Sequence, residues 1–170
     1  MTVDQIVGVT LTTLKFHADD RGGLAEVFRA SNYPERFVQA NHSRSRRNVL
    51  RGLHYHRRQA DLWYVVSGRA RVGLADLRRK RERPPVQTVI LDGDAPAALY
   101  VPAGVAHGFL AMTDLDLIYF VTEEYDGSDE FGVAWNDPQL AVPWGIDAPI
   151  LSPRDRENSE LRWDLIPSFS

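Results

Sequence analysis

The chain has 170 residues, 44% of them hydrophobic, which suits one domain (1–170) with a full core. Its net charge is −3 and hydrophobic strand residues break the Arg-rich run over residues 69–83, so it presents no basic face for a nucleic-acid backbone and is expected to bind neither DNA nor RNA. The absence of cysteine excludes disulfides, thiolate catalysis and Cys-type zinc sites, and with no apolar run near the ~18 residues of a membrane span and no charged-then-apolar N-terminus, a soluble cytoplasmic protein is expected.

Strand signals dominate the chain. Residues 6–16 alternate with many β-branched side chains and read as the first strand, followed by a helical turn over 33–37. Residues 49–56 form the next strand. The longer stretch 62–77 breaks at Ser67-Gly68 and reads as a hairpin. Residues 86–91 end at the turn Asp92-Gly93-Asp94, and 98–101 end at Pro102, which with Gly104 makes a turn before His107. Strands over 107–112 and 117–122 complete the set. The Pro-rich stretch 138–153 is expected to lie as an ordered arm over the barrel, with a short helical piece near the C-terminus. Turns recur at the roughly 8–12-residue spacing of an all-β sandwich or barrel.

The segment 41–68, NHSRSRRNVLRGLHYHRRQADLWYVVSG, carries the chemistry. It sets His54, His56, several arginines and Asp61 in alternating strand patterns that a small barrel turns inward, where polar groups are costly and usually serve a reaction. About forty residues later YVPAGVAHGFL brings His107 to the start of another strand. Two histidine-bearing strands so separated mark an all-β double-stranded β-helix, the cupin jelly roll, with few short helices. Arg51 follows an apolar pair and precedes Gly52, which predicts an inward side chain in need of an anionic partner. Arg44, Arg46 and Arg47 read as solvated, and Trp135 as a packing aromatic.

Six pieces in order, DDRGGLAEVF, FVQANHSRSRRNVLRGLHYH, VVSGRARVGLADLR, VPAGVAHGFL, TEEYDGSDEFGVAWNDP and ILSPRD, give a wider match. Along nearly its whole length the chain resembles the dTDP-4-dehydrorhamnose 3,5-epimerase family, sugar-nucleotide epimerases of rhamnose and other deoxysugar pathways. The resemblance implies a homodimer without a cofactor, acting on a dTDP-linked 4-keto-6-deoxyhexose whose C3 and C5 protons are acidified by the ketone. It implies His54 as the base, held by Asp155, and Tyr125 as the acid. It further implies that Arg21, Glu26, Gln39, Asn41 and Arg51 hold the nucleotide and its diphosphate, with His107 in the same pocket. The strand over 6–16 is the expected dimer contact, as an N-terminal edge strand.

Two positions depart from the family pattern. Asp61 stands where the family carries a lysine that steadies the enolate oxygen, and His56 where a polar or amide residue is usual. Arg57, Arg58 and a protonated His56 are the nearest replacements for that positive charge. The departures also admit other readings. His54, His56 and Asp61 spell HxHxxxxD, and with His107 they reproduce the spacing of a metal-dependent cupin, an isomerase or dioxygenase. A hydrogen bond between His56 and Asp61 would account for the same pair, and loss of the lysine admits a non-catalytic sugar-nucleotide binder. The metal-free epimerase is the expectation.

Overall fold

The structure is a computed structural model and describes residues 5–169. Its strands are β1 (Thr10–Thr13), β2 (Phe16–Asp19), β3 (Gly22–Ala25), β4 (Gln39–Ser45), β5 (Leu50–Tyr55), β6 (Asp61–Ser67), β7 (Arg69–Asp76), β8 (Val86–Asp92), β9 (Ala97–Val101), β10 (Val105–Ala111), β11 (Leu115–Val121) and β12 (Phe131–Gly132). A 3₁₀ turn spans Ala30–Asn32, a second Gly127–Asp129, and one short helix, α1, spans Pro153–Glu157. The strands form two five-stranded antiparallel sheets, β1-β9-β6-β11-β4 and β12-β5-β10-β7-β8, and a separate ribbon of β2 and β3. This is the expected cupin-type jelly roll.

Period-two alternation sorts the side chains into layers. Trp63, Val65, Leu99, Val101 and Leu117 from the first sheet meet Val72, Leu74, Val105 and Phe109 from the second in one buried core. The second sheet is covered on its other face too. There Leu53, Ala75, Ala106 and Leu110 pack against Leu140, Val142 and Trp144 of the proline-rich arm. A sheet buried on both faces carries near-continuous apolar strands, and every residue of β10 is buried.

The arm is ordered, as expected. Asp137 starts it by accepting hydrogen bonds from the amides of Gln139, Leu140 and Leu161 at 2.6–2.8 Å. Its far end is pinned beside β5, where Leu50 N donates to Ile150 O at 3.0 Å and Ile150 N donates to Asn48 O at 2.8 Å. That pinning delivers residues 152–155 to the mouth of the barrel.

Several sequence expectations change. The stretch 62–77 is not a hairpin: β6 pairs with β9 and β11, β7 pairs with β8 and β10, and at Gly68 the chain crosses between sheets. Gly68 has φ +82°, and a Cβ there would strike the carbonyl oxygen of Asp114, so the crossing requires glycine. The first expected strand, residues 6–16, shortens to β1: a turn at Val7-Gly8 precedes it, and β2 begins only at Phe16. The helical turn lies at Ala30–Asn32, and Tyr33 is extended where a helix was read over 33–37. Tyr33 instead stacks on Phe28 and Tyr100, Phe28 stacks on Phe120, and Phe37 meets Phe28 and Tyr33 edge-on, all against the first sheet.

Candidate active site

The two sheets diverge at one end to leave a cavity of about 310 Å³, at the low end of small-molecule sites. Alternation along β4 aims Gln39, Asn41 and Ser43 into it, while β11 supplies Leu117, Tyr119 and Val121. β5 and β10 supply His54 and His107, which face each other in the strand register. These two strands approach closely through glycine: a Cβ on Gly108 would lie 2.6 Å from Arg51 O and 3.0 Å from Gly52 Cα. Only a side-chain-free contact lets the two histidine strands come so near.

His54 is a built acid–base unit. Its Nε2 lies 2.7 Å from Asp155 Oδ1, and the carboxylate is 4% exposed. A carboxylate only accepts, so His54 carries its proton on Nε2 and leaves Nδ1 as an acceptor. Asp155 is fixed in turn by Ser152, whose hydroxyl donates to Oδ2 at 2.8 Å and accepts from the Asp155 amide at 3.1 Å as the N-cap of α1. Burial pushes the Asp155 carboxyl up, but the bonds from His54 and Ser152 outweigh it and hold the group below the usual carboxylate range.

Behind His54 lies a second polar cluster. His107 is buried, and that burial drives its pKa down to about 4 against the opposing charge of Asp61, so the ring is neutral at pH 7. Its Nδ1 donates to Val105 O at 2.9 Å, and Nε2 is 3.7 Å from Asp61 Oδ2. Asp61 accepts from Trp63 Nε1 at 3.0 Å and from Gln59 Nε2 at 2.8 Å. The bond between His56 and Asp61 that would have accounted for the pair does not form: His56 Nδ1 donates to Asp129 O at 2.7 Å, and Gln59 stands between the two side chains. The alternative four-residue metal set divides, with His54 turned to Asp155 while His56, Asp61 and His107 bring ligand atoms within 4.8 Å of one another.

At the mouth, Tyr125 is 72% exposed and its backbone amide donates to Gln39 Oε1 at 3.1 Å, while Gln39 Nε2 donates to Asn41 Oδ1 at 2.9 Å. Tyr119, deeper in the same wall, has its hydroxyl pushed up by burial and by Asp61 and Glu130. Arg51 lines the cavity, as the inward reading expects, but it is exposed rather than buried, and its guanidinium donates to Ser45 Oγ and Arg44 O rather than to an anion. Arg51 pairs with Phe109 as His54 pairs with His107, and the register shift between the two pairs sets Arg51 on the same face as His54 although three residues separate them.

Arg57 and Arg58 do not line the cavity: Asp129 and the cavity-lining Asp126 hold them in ion pairs. Arg44 pairs with Asp116 at the surface, and Trp135 packs in the outer cluster. Nor do Arg21 and Glu26 line the cavity of their own chain: they sit on or beside the β2–β3 ribbon, paired with Asp19 and Arg29. The sequence reading missed Ser152, Tyr119, Gln59, Glu130 and Arg154. Of these only Ser152 was signalled locally, by Ser-Pro ahead of an acid, an N-cap pattern.

A sequence model described as dTDP-4-dehydrorhamnose 3,5-epimerase matches residues 4–162. The chain belongs to that epimerase family. It is therefore an isomerase on a cupin-type scaffold. Among its relatives, a Bacillus subtilis spore coat polysaccharide biosynthesis protein, SpsL, is 38% identical over 148 residues, 84% of this chain and 98% of the relative. The Pseudomonas aeruginosa dTDP-4-dehydrorhamnose 3,5-epimerase is 35% identical over 163 residues, 89% of this chain and 90% of the relative. The crystal structure of the Legionella pneumophila epimerase RmlC, in complex with dTDP-4-keto-L-rhamnose, superposes with TM-score 0.88 at 32% identity over 98% of this chain and 96% of the other. In this epimerase the His54–Asp155 pair is the feature of the cavity most suited to proton abstraction. Among the described residues no helix is long and apolar enough to cross a membrane.

Proposed function

We propose that this epimerase acts on a dTDP-linked 4-keto-6-deoxyhexose, inverting C3, C5 or both, with His54 as base, Asp155 as its partner and Tyr125 as acid. The observation that carries the reading is the 2.7 Å contact of His54 with a buried, ionised Asp155 at the wall of a cavity. His54 Nδ1 removes a proton from the carbon beside the ketone, the electron pair moves onto the keto oxygen, and Asp155 stabilises the imidazolium that forms. Tyr125 then returns a proton to the opposite face of the enolate, and the ketone reforms. Gln39, Asn41 and Arg51 at the mouth, with His107 deeper in, hold the nucleotide end and the sugar. A nucleotide diphosphate does not cross membranes unaided, so the reading carries a cytoplasmic enzyme.

The same reading includes a homodimer. β1 is the end strand of its sheet, and the β2–β3 ribbon is exposed along almost its whole length, with Phe16 and Leu24 more than half exposed. A two-stranded ribbon alone is marginal in water. Seated on a second copy it would bury those side chains and offer Arg21 and Glu26 to the partner's cavity.

Incubation with dTDP-4-keto-6-deoxyglucose in D₂O, read by NMR, tests the chemistry: deuterium should enter at C3, C5 or both. No exchange at either carbon would reject it. Mixing Arg21→Ala and His54→Ala chains tests the shared site, since complementation restores activity only if the two residues act across copies.

A further inference from the structure

We infer that His56, Asp61 and His107 form a binding site for a first-row divalent metal ion, set in the cavity floor beside His54. The site joins the two sheets: Asp61 opens β6 of one, His107 lies in β10 of the other, and His56 follows β5. All three offer ligand atoms within 4.8 Å of one another. Ligands at about 2.0–2.2 Å from one ion stand roughly 3.4 Å apart in a tetrahedral shell. The 3.7 Å between His107 Nε2 and Asp61 Oδ2, too long for a hydrogen bond, is close to that spacing.

Both histidines are preset for coordination. A backbone carbonyl can only accept, so the bonds of His56 Nδ1 to Asp129 O and of His107 Nδ1 to Val105 O place each ring proton on Nδ1. Each Nε2 is then an acceptor lone pair, that of His107 3.7 Å from Asp61 Oδ2 and that of His56 met at 3.3 Å by the Gln59 amide. Orientation of ligand histidines through a backbone carbonyl is the usual outer shell of a metal site. The carboxylate is steadied in the same way, one oxygen by Trp63 Nε1 and the other by Gln59 Nε2.

Gln59 marks where the ion would sit. Its single amide nitrogen is 2.8 Å from Asp61 Oδ1 and 3.3 Å from His56 Nε2, bridging two acceptors with one donor group. Rotation of this half-buried side chain would open the position to a cation that satisfies both and reaches His107 as well. Two imidazoles and one carboxylate leave a coordination position free, the pattern of catalytic rather than closed structural sites. That position faces the cavity, where His107 is the register partner of His54.

The use of the ion rests on the epimerase reading, whereas the site does not. An ion here would accept the keto oxygen as a Lewis acid and take the charge that develops as His54 removes the neighbouring proton.

The test treats the full-length protein with a chelator, removes the chelator, and titrates Co²⁺, Zn²⁺ and Mn²⁺ by calorimetry, with visible spectra for Co²⁺. The expected result is one equivalent per chain and a Co²⁺ d–d band showing fewer than six ligands, both kept in His54→Ala. Asp61→Asn and His107→Gln should weaken binding beyond the roughly 10–100-fold that changes in the outer shell cost. Since those two residues are buried, His56→Gln serves as a third variant, and thermal melts of all variants show whether metal raises the midpoint of wild type alone. Absence of binding to wild type, or undiminished binding to folded Asp61→Asn, would overturn the site. Deuterium exchange measured with and without the ion separates the two readings. Binding with an exchange rate indifferent to metal would overturn the Lewis-acid use, and binding with no exchange at all would count against the epimerase assignment but not the site.

Discussion

Asp155→Asn isolates the charge of the dyad from its shape. Asn is isosteric, can accept from Ser152 through its oxygen or donate to it, and can still accept from His54 Nε2, so the cap and the ring orientation survive. What disappears is the negative charge facing the imidazolium that forms when His54 takes the proton. Opposite charges with centres about 4 Å apart attract by about 4 kcal/mol at the effective dielectric of 20 that suits such sites. His54 is 23% exposed, so part of that attraction is screened by water. A loss of about 3–4 kcal/mol corresponds to a fall of roughly a hundred- to a thousandfold in the exchange rate. Deuterium wash-in followed by NMR at saturating keto sugar reads this directly, while titration of dTDP should give nearly the wild-type affinity because the nucleotide is held elsewhere. An Asp155→Asn protein that exchanges within threefold of wild type, with its fold intact, would show that His54 does not act as the base through this carboxylate.

Four further outcomes follow from the same geometry. His54→Ala should abolish deuterium incorporation at every carbon and leave dTDP affinity nearly unchanged, which exchange and calorimetry together check. Arg51→Ala should weaken dTDP binding by about 1.5–3 kcal/mol, the value of a charge-assisted hydrogen bond, as measured by calorimetry. Gly108→Ala puts a Cβ 2.6 Å from Arg51 O, so β10 must move by roughly 1 Å from β5, and a displacement of that size should lower turnover about a hundredfold. Asp155 titrates below its unfolded value of about 3.9, so the dyad's stabilisation is complete above that pH and lost as pH falls through the native pKa; the difference in thermal midpoint between wild type and Asp155→Asn should shrink toward pH 3.

The parts of the site legible in the sequence are those that strand alternation places. The RGLHYH and VAHGFL pieces put His54 and His107 on one inner face because period-two patterning needs no knowledge of distant residues. Asp155 is different. It lies 101 residues from His54, and only the resemblance to the epimerases linked the two. In the structure the link is made by the arm, pinned to β5 through Asn48 and Ile150. The exposure of Arg51 and the crossing at Gly68 lie beyond local pattern. Alternation assumes an unbroken register, and turn chemistry at Ser67-Gly68 reports only that the chain changes direction. The register shift beside Gly108 keeps Arg51, three residues before His54, on the cavity face, and the carbonyl of Asp114 beside Gly68 belongs to a different part of the chain.

Asp61 shows how a departure from a family pattern gains meaning only in three dimensions. In the sequence it is a negative charge at a position where the enolate wants a positive one. In the structure it is 2% exposed, clamped by Trp63 and Gln59, and faces two histidines whose protons are committed to backbone carbonyls. A buried carboxylate in such company is costly unless a cation meets it. The cavity-lining arginines do not supply one at that point, since Arg51 turns to Ser45 and Arg154 pairs with Glu130. The same few residues therefore raise the difficulty for enolate chemistry and offer its resolution, a metal ion held by His56, Asp61 and His107 where a side-chain cation is missing.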